Sequence, residues 1–116
     1  MQIDIQSRGL ALTDARREYT ERRLQFALAR VGDRVRRVTV RLFDVNGPRG
    51  GIDKRCTIQV MLNGLADVVI EDTEADLYVA IDRAANRIGR TVVRSLARQS
   101  VRPDGPRDAT GALTDL

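Results

Sequence analysis

From Leu77 to Leu96 the apolar residues Leu77, Ile81, Ala84, Ala85, Ile88, Val92 and Leu96 recur at three- and four-residue steps, so a helix here carries one apolar stripe. Such a stripe holds only when another apolar surface covers it. With 116 residues the chain has room for one core and no second domain. Thr73-Glu74-Ala75-Asp76 has the form of a capping box with Asp in the last place, and it is expected to open this helix.

The covering surface is expected to be a sheet. Ile3 and Ile5 alternate with Gln2, Asp4 and Gln6, a half-buried strand that Gly9 ends. Thr13 is placed as the N-cap of a first helix over residues 14–31, closed by Gly32. Its apolar residues divide, with Ala15, Tyr19 and Phe26 on one side and Leu24, Ala27, Leu28 and Val31 on another, so two neighbouring surfaces are expected to be partly covered. In residues 35–45 Val38, Val40 and Leu42 alternate with Arg37, Thr39 and Arg41, a strand with one apolar and one cationic face. Residues 46–51 force a loop. Cys56, Ile58, Val60 and Leu62 then alternate up to Asn63-Gly64, a hairpin signal, and residues 66–71 are the expected return strand with Val68 and Ile70 inward. From residue 101 onward breakers without a period predict a disordered tail, leaving a domain over 1–100.

The order is strand, helix, three strands, helix. The helical crossover makes the first two strands parallel, and the other pairs are antiparallel. The fold class is α+β: one four-stranded sheet with both helices on its apolar face.

Composition narrows the chemistry. There is no His and one Cys, which excludes His-dependent acid/base catalysis, the usual nucleophile triads and Cys/His zinc spacings. Cys56 sits in an apolar alternation and is expected to be a buried thiol, in a reducing compartment. The first residues lack the pattern of a signal peptide and no apolar run approaches a membrane span, so a cytoplasmic protein without membrane contact is expected. No cofactor and no enzymatic activity are expected. Glu71, Asp72, Glu74 and Asp76 cluster where a metal site or paired carboxylates would need them, but the dipole of the following helix accounts for acids there. The glycines at 47, 50 and 51 do not lead from a strand into a helix, as a phosphate loop would.

The cations carry the functional signal. Of the 20 Lys and Arg residues only Lys54 is a lysine, against 16 acids. Opposite the apolar stripe of the last helix stand Arg83, Arg87, Arg90, Arg94 and Arg98, within an arc of about 80°. An ordinary exposed helix would mix Glu into this face, since like charges at these spacings destabilise it. The stripe therefore points to a polyanion. Arg16, Arg17, Arg22, Arg23 and Arg30 of the first helix are diluted by Asp14, Glu18 and Glu21, and the two helices are expected to join in one cationic platform. With four aromatic residues and no Trp, stacking platforms are scarce, which favours recognition of structured RNA by shape and phosphate. A sheet backed by two basic helices resembles the double-stranded-RNA-binding domain with an extra first strand.

Residues 72–82, with Leu77-Tyr78-Val79-Ala80-Ile81-Asp82 at the helix start and the spaced Arg87, Arg90 and Arg94, resemble the signature helix of a known family. This is the ribosome hibernation promoting factor and ribosome-associated inhibitor A family, also called the sigma-54 modulation protein family. The opening Met1-Gln2-Ile3 and Thr13-Asp14-Ala15-Arg16-Arg17-Glu18-Tyr19 resemble its first strand and helix, and the likeness spans roughly residues 1–100. The resemblance implies a stress-linked factor that binds the small ribosomal subunit in the mRNA and transfer-RNA channel and keeps idle ribosomes inactive. It implies ribosomal-RNA contacts at Arg17, Arg23, Arg87, Arg90, Arg94 and Arg98, whereas Arg83 enters on periodicity alone. The length is that of short members, so ribosome pairing is expected to need a separate dimerisation factor. The alternative is a module for another structured RNA.

Overall fold

The computed structural model describes residues 1–45 and 52–101. The expected loop at 46–51 lies outside them, as does the expected tail apart from Val101, which closes the last helix. The elements follow in the order β1 (Gln2–Arg8), α1 (Asp14–Ala27), a 3-10 turn (Ala29–Arg34), β2 (Val35–Asp44), β3 (Lys54–Leu62), β4 (Val68–Glu74) and α2 (Leu77–Val101). The strands form one sheet in the order β1-β2-β3-β4. β1 pairs parallel to β2, and the other pairs are antiparallel, as the crossover and hairpin arguments require.

One alternation of side chains builds the core. Ile5, Val38, Val40, Leu42, Cys56, Ile58, Val60 and Leu62 are buried and meet all seven residues of the α2 stripe. α2 lies over β3 and β4, and α1 lies beside α2 on the same face of the sheet. Burying a Leu, Ile or Val contributes about 1.5–3 kcal/mol each, so this layer contact is the main source of stability. A register shift between Val35 and Arg37 turns Val35 inward along with Val38.

Several local expectations are corrected. α1 ends at Ala27 and not at residue 31; Leu28 adopts φ −109°, ψ 12°, and the chain tightens into the 3-10 turn, within which Gly32 lies. Its buried face is Thr20, Leu24 and Leu28, while Phe26 is 80% exposed. Thr20 is tolerated there because its hydroxyl donates to the Arg16 carbonyl at 2.8 Å. The Thr13 cap is present: its Oγ1 accepts from the Arg16 N–H at 3.2 Å. At the hairpin only Gly64 has positive φ (76°), and five residues, 63–67, separate β3 from β4, whereas a return strand from residue 66 would leave three.

The return strand also runs later than expected, ending at Glu74. Thr73 is therefore a strand residue and not a cap. Asp76 opens α2 instead, its Oδ1 accepting from the Tyr78 N–H at 2.8 Å. The acids assigned to the first turn of the helix thus lie mostly on β4, where arginines hold them: Glu71 lies 3.6 Å from Arg55, Asp72 3.7 Å from Arg87 and Glu74 3.5 Å from Arg83.

At the start of β3, Lys54 reaches Asp53 at 2.9 Å and Asp44 at 3.6 Å, and the Asp53 side chain is fully buried. The bond to Asp53 raises the Lys54 pKa. Burial, helped by the facing Asp72, pushes the Cys56 thiol up to about 12, so it stays protonated and inert.

Candidate nucleic-acid interface

The α2 stripe forms as the spacing predicts. Arg83, Arg87, Arg90, Arg94 and Arg98 are all exposed, and Leu77, Ile81, Ala84, Ala85, Ile88, Val92 and Leu96 are all buried on the other side. The five are not electrically equivalent. Arg83 and Arg87 bend toward β4, each to a carboxylate, and Arg87 also donates from Nη1 to the Glu71 carbonyl at 3.0 Å. Arg98 donates to Ser95 Oγ at 3.3 Å. Arg90 and Arg94 have no ion-pair partner among the described residues. The free positive potential therefore centres on the C-terminal half of α2, and the β4 acids pre-orient two arginines nearer its start.

Those acids crowd one another. Glu74 lies beside Asp72, and hydrogen bonding to that carboxylate, with burial adding, raises its pKa against the opposing pull of Arg83. Asp72 Oδ2 has no other donor. Protonation of Glu74 supplies one and makes the charge of this rim more positive.

Arg17 and Arg23 part company. Arg23 is a clamp between the helices, its side chain only 20% exposed. Its Nε donates to Asp82 Oδ1 at 2.9 Å, and its Nη2 donates to Asn86 Oδ1 at 2.9 Å and to the Asp82 carbonyl at 3.3 Å. Tyr19 donates to the same carboxylate at 2.6 Å and packs edge-on against Tyr78, with ring centroids 4.8 Å apart. The hydrogen bond to Asp82 raises the Tyr19 pKa, with burial adding to it. Further along, Gly89 lets the helices touch: a Cβ there would stand 2.9 Å from the Ala27 carbonyl oxygen.

Arg17 lies about 120° around α1 from Arg23, exposed and without an ion-pair partner among the described residues. The helix contact through Asp82, Asn86 and Gly89 is about 110° around α2 from the stripe. The platform expected across both helices is therefore interrupted by the Tyr19–Asp82–Arg23 contact, and the stripe opens toward β4. The sequence shows Asp82 only as the end of the helix-start motif and assigns it no contact, because only the packing of the helices reveals its two partners.

Among the described residues no group of three or more His, Cys, Asp or Glu side chains is arranged to hold a metal ion, and no helix is long and apolar enough to cross a membrane. Fold and site together define a small α+β domain, four strands and two helices, that displays one arginine-faced helix. The chain belongs to the sigma 54 modulation protein / S30EA ribosomal protein family, whose model matches residues 3–100.

Relatives cover nearly the same span. The ribosome hibernation promoting factor of Azotobacter vinelandii is 33% identical over 109 residues, covering 94% of this chain and 95% of that one. The N-terminal domain of Protein Y from Thermus thermophilus superposes with a TM-score of 0.69 at 34% identity, over 82% of this chain and 99% of that one. A ribosomal subunit interface protein from Coxiella burnetii, at 19% identity, shares the fold with a TM-score of 0.70, over 84% of this chain and 99% of that one.

Proposed function

We propose that this protein is a non-enzymatic ribosome hibernation factor. It binds the small ribosomal subunit at ribosomal RNA of the mRNA and transfer-RNA channel and keeps idle ribosomes out of translation. Family membership supports the ribosome as target, and the names of its relatives place them at ribosomes and at subunit interfaces. The observation that carries the mechanism is the α2 stripe of five exposed arginines, three of them without a carboxylate partner among the described residues. Guanidinium forks match phosphate oxygens bidentately and remain charged at every physiological pH.

In this mechanism Arg90 and Arg94 take the first phosphates. Arg83, Arg87 and Arg98 follow, exchanging carboxylate and hydroxyl partners for phosphate. Arg17 adds a contact from α1, and Arg23 acts at the interface by holding α1 against α2. The rigid body then occupies the channel and excludes mRNA and transfer RNA by its bulk. Ribosome pairing falls to a separate dimerisation factor.

The test is sucrose-gradient sedimentation of ribosomes mixed with the purified protein at low and raised salt. Wild type is expected to travel with the small subunit and whole ribosomes and to be released by salt. The R87E/R90E/R94E variant is expected to stay at the top while keeping its fold by circular dichroism. Wild-type co-migration of that variant refutes the site, and a wild-type protein left at the top even at low salt refutes the function.

A further inference from the structure

The second face of the sheet carries a cationic site of its own. The parallel register sets Gln6 beside Arg41 and Arg8 beside Phe43, and the antiparallel register sets Arg55 on the other flank of Phe43. All five point away from the core, since their strand neighbours Ile5, Leu42 and Cys56 are buried toward the helices. A concavity at this end is lined by Gln6, Ser7, Arg8, Arg41, Leu42 and Phe43. Phe43 is half-buried in its wall, and Arg8 and Arg41 are exposed.

Charge on this face is not cancelled. Its carboxylates Asp4 and Glu71 are each engaged, by Arg37 at 3.4 Å and by Arg55 at 3.6 Å, and Asp67 accepts from Gln59 at 2.8 Å. Arg8 and Arg41 have no ion-pair partner among the described residues. They stand one strand and two residues apart, about 8 Å between Cα atoms from strand spacing and rise, within reach of neighbouring phosphates on one strand. An aromatic ring set in the open face of a sheet presents a π surface to an unpaired base, which a duplex does not offer.

We propose that this end of the outer sheet face is a second RNA-binding site, specific for a single-stranded segment. One base lies against the Phe43 ring, and the flanking phosphates are held by Arg8 and Arg41. It extends the RNA-binding reading above but rests on different residues, in the layer opposite α2. Two sites on opposite layers of one rigid body let the protein bridge two RNA segments, and each binding event raises the effective concentration for the other.

Fluorescence anisotropy with labelled octauridylate tests this, with R87E/R90E/R94E as the background so that the α2 site is disabled. This background is expected to retain binding. Adding R8Q/R41Q is expected to weaken it about tenfold, and adding Phe43→Leu, which keeps apolar bulk but removes the ring, about fivefold. The proposal is overturned if the background variant no longer binds the octamer, or if R8Q/R41Q leaves its affinity unchanged. It is also overturned if uridine monophosphate displaces the octamer at equal nucleotide concentration, since the site would then take a mononucleotide and not a strand. Ribosome sedimentation of the helix variant reports separately on the function proposed above, so failure of either reading leaves the other measurable.

Discussion

Replacing Arg90 and Arg94 with glutamine removes two stripe cations that have neither a carboxylate nor a hydroxyl partner among the described residues, and the consequence is measurable as a salt dependence. Each phosphate neutralised contributes about 0.7–0.9 to the slope of log affinity against log salt, through released counterions. Two lost contacts lower the slope by about 1.4–1.8, so that between about 50 and about 200 mM salt the variant loses roughly 7- to 12-fold less affinity than wild type. Arg83 and Arg87 are different. Their charge is already spent in part on Glu74 and Asp72, so fewer counterions leave when phosphate arrives, and R83Q/R87Q is expected to change the slope by less. The assay is ribosome binding by filter retention or anisotropy at four or five salt concentrations, with both double variants first shown to unfold at the wild-type temperature. A slope that falls as far for R83Q/R87Q as for R90Q/R94Q would refute the argument that partnered and unpartnered arginines of the stripe differ.

Two further outcomes follow from the helix contact. Gly89→Ala ordinarily favours a helix by about 1 kcal/mol, but here the Cβ would meet the Ala27 carbonyl, and net destabilisation of about 1–3 kcal/mol by urea unfolding is expected; a stabilised variant would refute the close approach. With Tyr78→Phe removing the other tyrosine, absorbance at 295 nm is expected to show Tyr19 ionising above its ordinary value of 10.0, because the bonded phenol must give up its proton beside the Asp82 carboxylate. The folded pKa is raised, so this bond stabilises fully below pH 10 and is lost as pH rises through the folded value; a midpoint at or below 10 would contradict the geometry.

Elements whose side chains obey one period were legible. The alternations at residues 38–42 and 56–62 and the seven-residue stripe of α2 each became buried surfaces, because burial on one face dictates the period. α1 was not legible at its end or in its orientation. Its contact with α2 includes a polar clamp made by Tyr19 and Arg23 beside the buried Leu24 and Leu28, so hydrophobicity alone did not mark the inward side, and Phe26 was placed among candidates for cover that the fold leaves open. β4 was misplaced at both ends for a related reason. Asp72 and Glu74 look like acids at a helix start until Arg83 and Arg87 pack across them, and that pairing exists only after α2 docks. The α2 part of the candidate site could be read from a single helix, whereas the clamp at Asp82 and the row through Arg8, Phe43 and Arg55 depend on registers between elements that no local pattern encodes.

The position of Lys54 has a consequence for control. The chain's single lysine is held between Asp44 and Asp53, and every other side-chain cation is a guanidinium. Lysine acylation, a common way to discharge a basic protein surface, therefore has no target on either arginine face, and no pH compatible with the fold neutralises them. A protein built this way cannot be loosened from a polyanion by editing lysine charge. Under the proposed function, its occupancy of RNA is set by how much of it is present, by the ionic strength around it and by what competes for the same phosphates.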